Sequence, residues 1–203
     1  EKNAKVFVAY NRRFYQSVQN AERLIKEQGG LLSCSFEFTE WAHTIEPLNL
    51  AESIKQHWFL ANSTHVADTA FYLGGKPAKL KSFTSDTLNW HSSAAVFAGS
   101  GISTSGALFS YQANWKSPGR WSVEILTSKR RLILRPMEIL QVQEHRSVAV
   151  SPIEIDDQID KDFKPGLFLQ TKAFLDGNYE NFCDIHEQLE LVGEYYNKMS
   201  AYK

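Results

Sequence analysis

Apolar positions recur along this chain with two alternating periods, and the changes of period mark the elements. Near the start, Val6-Phe7-Val8-Ala9 is apolar on both faces, as a strand inside a sheet would be. Phe14, Val18, Ala21 and Ile25 then fall at helical spacing, and Gly29-Gly30 supplies a left-handed stop, so a helix is predicted over residues 13–28. Leu32, Cys34, Phe36 and Phe38 alternate with polar residues and predict a half-buried strand. Residues 41–59 carry few regular signals. A second helix is predicted to start near Leu60, capped by Asn62 or Ser63 and ended by Gly74-Gly75 and Pro77. Six short strands follow, over 78–86, 94–101, 106–115, 120–127, 130–135 and 139–143, with turn signals between them. Short strands with short connections predict an antiparallel meander. Two helices close the chain. The first has Pro165 in its first turn and Phe168, Thr171 and Leu175 on one face; the second carries Phe182, Ile185, Leu189, Val192 and Tyr196. Strands and helices are largely segregated, which predicts an α+β fold: a large, mostly antiparallel sheet with helices packed on one face. On the other face Leu108, Leu126 and Ile133 make an apolar surface that needs cover.

Composition narrows the function classes. The 203 residues are 43% hydrophobic and 22% charged, which is globular rather than disordered. A net charge of −1 argues against a non-specific nucleic-acid binder. No apolar run reaches the length of a membrane span, and the N-terminus has no signal-peptide pattern. Two cysteines, Cys34 and Cys183, make no disulfide framework, so a reducing, cytoplasmic compartment is the default expectation. The chain opens at Glu1 without Met and reads as part of something longer.

Among candidate chemical groups, His65 stands out. It falls in the first turn of a predicted helix, where the helix dipole keeps an imidazole neutral and able to take or relay a proton. Asp68, three residues on, shares its helical face and can orient the ring. The plainer alternative, a histidine packed under the sheet and bonded to backbone, is favoured by these residues alone. Gly99–Gly106 has the glycines of a phosphate loop, but strands flank it on both sides and no Lys follows, so it reads as a hairpin turn. No dinucleotide fingerprint opens a βαβ unit, and the chain alone is not expected to hold a dinucleotide tightly. The other histidines are scattered and make no metal set. Lys129-Arg130-Arg131 reads as a solvated hairpin tip. The five tryptophans, near strand ends, suit a sugar site or interface as well as they suit a core.

Several segments, in order, resemble one family. VFVAYNRRF at 6–14 is similar to the junction in Gfo/Idh/MocA oxidoreductases where the last strand of the nucleotide-binding domain enters the C-terminal domain. ANSTHVADTAFYLGGKP at 61–77 resembles that family's H-x-x-D helix with its Gly and Pro exit. WSVEIL at 121–126 resembles its sheet signature, and 166–190 its closing helices. The resemblance implies a C-terminal substrate-binding and oligomerisation domain over 11–203, with residues 1–10 the remnant of the last strand of a Rossmann domain that is otherwise absent. It implies an NAD(P)-dependent oxidoreductase acting on a sugar, nucleotide-sugar or cyclitol hydroxyl. The cofactor, NAD or NADP, would be bound mainly by residues upstream of this chain, and none is expected on the fragment, which alone is expected to be inactive. Glu1-Lys2-Asn3 is a lookalike of the family's Glu-Lys-Pro motif, but it runs straight into a strand and is read as coincidence. His65 matches the catalytic histidine and Asp68 a supporting helix Asp; Asn11, Arg13 and Asn62 match positions near the substrate cleft. The acid usually found four residues before the histidine is Ala61 here, which is the motivation for a rival reading: a non-catalytic binding or structural member of the same fold. An unrelated stand-alone ligand-binding module is the third. The partners implied are a sugar-like small molecule and a second copy of the chain docked through the sheet, with no nucleic acid and no membrane.

Overall fold

The computed structural model describes residues 4–202, so Glu1-Lys2-Asn3 lies outside the described residues. Its centre is an eight-stranded mixed sheet in the order β3-β4-β5-β2-β6-β7-β8-β9. The strands are β2 Leu31–Glu37, β3 Pro77–Ser85, β4 Val96–Ser103, β5 Leu108–Asn114, β6 Ser122–Thr127, β7 Arg130–Leu134, β8 Leu140–Glu144 and β9 Val150–Pro152. The predicted meander is interrupted. β2 inserts between β5 and β6, parallel to β5 and antiparallel to β6. A short, alternating strand far away in sequence carries no local mark of where it will pair, whereas the β4-β5 and β6-β7-β8 runs follow from their short connections.

Helix α1 (Gln16–Glu27) lies on β7 and β8, α4 (Thr64–Gly74) on β2 and β6, and the last helix, α8 (Asn197–Ser200), on β3 and β4. They cover one face and bury Phe36, Phe38, Phe97, Phe109, Tyr111, Val123, Ile125 and Leu132. At about 25 cal/mol per Å² of apolar surface, side chains of this size each contribute roughly 1.5–3 kcal/mol when fully buried. The glycines of Gly99–Gly106 serve this packing. A Cβ at Gly99 would stand 2.4 Å from the Tyr111 ring, and one at Gly101 would stand 2.6 Å from Phe109, so both residues belong to strand β4 and leave room for aromatics on β5. The turn itself is at Thr104-Ser105-Gly106, with Gly106 at φ 88°.

Several expectations change. A bulge between Leu31 and Ser33 turns Leu32 outward, to 63% exposure, while Cys34, Phe36 and Phe38 face in. Ile133 is buried, flanked in the adjacent strands by Glu124 and Gln141, whereas Leu108 and Leu126 stay exposed. The first helix is split: a 3-10 turn spans Asn11–Phe14, Tyr15 is extended, and α1 follows. Residues 41–59 hold two short helices, α2 Ala42–Ile45 and α3 Glu52–Gln56. In the C-terminal region come α5 Gln158–Asp162, α6 Leu167–Leu175 and α7 Ile185–Leu191. α6 exposes the face expected to be inside, with Leu175 at 77%. In the last helical stretch a π turn at Val192–Tyr196 shifts the phase, so Leu191 and Tyr196 are buried and Leu189 is not.

The orphan strand β1 (Phe7–Val8) neither frays nor joins the large sheet. It pairs antiparallel with β10 (Cys183–Asp184) in a two-stranded ribbon. Phe7 stacks on Tyr179, 4.9 Å between centroids, and packs against Phe182 and Phe174.

Candidate functional site

The predicted site residues all lie where the Asn11–Phe14 turn meets the start of α4. This start is not a helix N-terminus. Trp58 is already αR, a π turn runs over Phe59–Ser63, and α4 continues from it without a break. Asn62 and Ser63 therefore cap nothing, and His65 sits inside a continuous helical stretch rather than in a first turn. The dipole argument for a neutral His65 fails, but the ring is neutral for a different reason. Burial, with the positive charges of Arg12 and Lys164 adding to it, depresses its pKa to about 4. Tyr10 meets the ring edge-on at 5.1 Å, and Nδ1 is buried without a hydrogen-bond partner.

Asp68 does not orient His65. Its two oxygens accept from Arg13: Nε to Oδ2 at 2.9 Å and Nη2 to Oδ1 at 2.6 Å. Both side chains are buried, and Arg13 Nη2 also donates to Glu187 at 3.2 Å. Arg13, expected at the substrate, is thus the inner half of an ion pair that ties the 3-10 turn to α4 and α7. Asn11 is likewise engaged: Nδ2 donates to the Pro165 carbonyl at 3.0 Å, which locks the turn against the entry to α6. Gly166 is required there, because a Cβ would stand 2.1 Å from the Asn11 carbonyl oxygen, and its φ is 71°.

Asn62 does reach the site, through a residue the pattern did not single out. Glu40, just beyond β2, is 4% exposed; its Oε1 accepts from Ser63 Oγ at 2.7 Å and from Asn62 Nδ2 at 3.0 Å. Burial raises the Glu40 pKa, while Ser63, Asn62, Trp58 and the charge of Arg120 pull it back. Ala61, the position of the missing acid, points to solvent. A carboxylate is present in this corner, but from the segment that follows β2.

Arg12 completes the corner. Its guanidinium lies 4.3 Å from the centroid of the buried Trp121 ring, and Arg120 approaches the same ring at 5.6 Å and Trp41 at 4.8 Å. Trp41 is fixed by a hydrogen bond from Nε1 to the Gly119 carbonyl at 2.8 Å. Beside it opens a cavity of about 830 Å³, lined by Trp41, His43, Trp115 and Lys116 among others. The other tryptophans divide as the two readings allowed: Trp90 and Trp115 stack in the core at 6.1 Å, and Trp58 stands half-buried beside Glu40. Arg12 lay within the VFVAYNRRF run, but nothing local distinguished it from Arg13. Glu40 could have been suspected only as a lone acid between Phe38 and Trp41.

Among the described residues no group of three or more His, Cys, Asp or Glu is placed to hold a metal ion, and no helix is long and apolar enough to cross a membrane. Among the described residues no glycine-rich turn joins a strand to a helix as a cradle for dinucleotide phosphates, so the described residues alone do not fit such a cofactor.

No protein-family model matches the sequence, and no curated protein does. The fold, however, is shared with solved structures. Levoglucosan dehydrogenase in complex with NADH and levoglucosan superposes with a TM-score of 0.61 at 21% identity, over 76% of this chain and 48% of that one. An oxidoreductase from Agrobacterium radiobacter in complex with NAD+, L-tartaric acid and magnesium gives 0.65 at 15%, over 97% of this chain and 63% of its own. UDP-N-acetylglucosamine 3-dehydrogenase from Acidithiobacillus ferrooxidans gives 0.68 at 12%, over 97% and 61%. This chain therefore spans about half to three fifths of their lengths. They are dehydrogenases of the Gfo/Idh/MocA type, and the chain has the α+β fold of their C-terminal domains, as the sequence resemblance implied.

Proposed function

We propose that this chain is the substrate-binding and oligomerisation part of an NAD(P)-dependent dehydrogenase acting on a sugar, nucleotide-sugar or cyclitol hydroxyl, with His65 as its acid–base residue. The observation that carries the reading is the imidazole itself. It is neutral at working pH and only part-buried, and it stands in a corner lined by polar groups and tryptophan on a fold shared with NADH- and NAD+-bound dehydrogenases. A nicotinamide cofactor held by the rest of the protein would supply hydride chemistry. This chain's share is to hold the hydroxyl and take its proton on His65 during oxidation, returning it during reduction. Asn62, whose side chain is held by a hydrogen bond to Glu40, is assigned the role of orienting the substrate. Asn11 and the Arg13–Asp68 pair hold the junction that positions His65.

In the full-length protein, His65→Ala is expected to lower turnover by roughly a hundredfold or more, the usual worth of general acid–base catalysis. Melting temperature should stay near wild type, because the ring makes no hydrogen bond through Nδ1. The absence of an acid at Ala61 favours the rival reading, a non-catalytic member of the fold. Wild-type turnover in His65→Ala would remove His65 from the mechanism, and absence of turnover in the unmutated full-length protein would favour that rival.

The outer face of the sheet is proposed as the surface that meets a second copy. Phe83, Leu108 and Leu126 are exposed there, and a shallow apolar depression of about 710 Å³ runs between Leu80, Ile102, Leu108 and Leu126.

A further inference from the structure

Six arginines surround or brace this fold apart from the cleft pair, and five of them are neutralised. Arg13 pairs with Asp68, Arg23 with Glu27, Arg130 with Glu144, Arg131 with Glu124, and Arg135 lies within 4 Å of Glu37 and Glu124. Arg146 sits in an exposed turn. Among the described residues, Arg12 and Arg120 have no carboxylate within ion-pair distance, and they share one ring, Trp121. Two like charges drawn to one indole repel one another. Arg12 is moreover part-buried, with Nε excluded from solvent and lacking any acceptor. Trp121 adds another buried N–H group without an acceptor in the same corner. Lys164 brings a third positive charge close to His65. Glu40, which holds Ser63 and Asn62, and the exposed Glu138 act on Arg12 only from beyond ion-pair distance, two negative charges against three positive ones. A corner with surplus positive charge and unmet donors is complementary to a ligand that brings negative charge and acceptors.

We infer that the substrate of this site is a sugar carrying an oxyanion, a carboxylate or a phosphoryl group, held between Arg12 and Arg120 with its ring against the Trp121–Trp41 side of the cleft. The inference rests on the proposed dehydrogenase reading and deepens it by naming the substrate class. The Arg12 guanidinium lies 4.3 Å from the Trp121 centroid with no carboxylate in ion-pair reach, and a guanidinium is the group suited to bidentate recognition of an oxyanion. The cavity beside Trp41 gives the rest of a larger ligand, such as a second ring, an aromatic surface to lie on.

The test uses the full-length protein with NAD+ and with NADP+. Binding of glucose, glucuronate, glucose 1-phosphate and UDP-glucose is followed by calorimetry and by tryptophan fluorescence, and turnover by cofactor absorbance. The expected result is that at least one charged sugar binds tenfold or more tighter than glucose, and that this margin shrinks as salt is added. Glucuronate against glucose 1-phosphate and UDP-glucose separates a carboxylate from a phosphoryl source. Arg12→Gln and Arg120→Gln should each lose roughly tenfold to a hundredfold in affinity for the charged ligand, the usual worth of a hydrogen bond to a charged group, and lose less for glucose. Arg120 is exposed, so its variant folds even if Arg12→Gln does not, and Arg12→Lys retains the charge while losing the fork. Equal affinity for neutral and charged sugars, no binding of any charged sugar, or charged-sugar affinity unchanged in Arg120→Gln would overturn the inference. Charge-selective binding without turnover would uphold it while removing the dehydrogenase reading; turnover of neutral sugars with no charge preference would do the reverse.

Discussion

Arg12 and Arg13 are adjacent in the chain and live in opposite electrostatic worlds. The 3-10 turn that carries them has three residues per turn, so consecutive side chains point about 120° apart. One is turned inward, onto Asp68 and Glu187, and is fully compensated. The other lies on Trp121 and is compensated by nothing in ion-pair reach among the described residues. The inner arginine braces the junction; the outer one is left with unspent charge for a ligand. The difference shows that a basic dipeptide can supply a brace and a recognition group at once, and that the division is made by backbone geometry rather than by residue type.

The strongest way to break the comparison is to remove the inner compensation. Asp68→Ala strands the Arg13 guanidinium in the interior, and loss of one partner of a buried pair costs about 3–5 kcal/mol. Chemical denaturation should show that loss. A change below about 1 kcal/mol would mean that Glu187 alone compensates Arg13, and the contrast with Arg12 would collapse.

A smaller effect should follow from pH. The pKa values of His65 and His91 are both depressed to about 4, chiefly by burial, from an ordinary 6.5. Each of these histidines then binds more protons in the unfolded chain than in the folded one between those values, so the stability they confer is full above about pH 6.5 and is lost as pH falls toward 4, offset in part by Asp68, whose pKa burial raises to about 6. His91 is the cleaner reporter, since Nδ1 donates to the Ala94 carbonyl at 2.9 Å and Nε2 accepts from Tyr202 at 2.7 Å, far from the cleft cations. Thermal melts across this window should have a shallower slope in His91→Gln than in wild type. An equal slope would show that His91 contributes none of it.

Two surface changes should sharpen the picture with stability nearly untouched. Leu108→Glu places a charge on the exposed outer face of the sheet and is expected to shift stability by under about 0.5 kcal/mol while converting an oligomer to monomer by light scattering. A wild-type protein that is already monomeric when dilute would count against the sheet interface. Arg120→Gln, on the cleft side, should change the melting temperature least of all, because it breaks no ion pair within the chain; a large loss would recast Arg120 as a brace like Arg13.

His65 and Asp68 lay on one helical face in the sequence, and spacing suggested that they act together. Asp68 instead faces the 3-10 turn, 55 positions away in sequence at Arg13, and no local pattern could reveal that. Glu40 was invisible for the same reason. Its role comes from Asn62 and Ser63, which a π turn delivers to it, and π turns leave no periodic trace. The cleft's lone cations were hidden too, since whether an arginine is paired depends on what folds against it.

What the sequence determined by itself were the features set by neighbours along the chain: the helices at Val18–Ile25 and Val66–Leu73, the hairpins whose turns are marked by glycine or serine, and the segregation of strands from helices that makes the fold α+β. Side-chain period and turn chemistry act over a few residues, so they can be read there. Tertiary structure alone decided the placement of β2 between β5 and β6, the pairing of β1 with β10, and the division of labour between Arg12 and Arg13. Each of these is a contact between distant segments, fixed by burial and charge compensation across the whole fold, and those forces act without regard to separation along the chain.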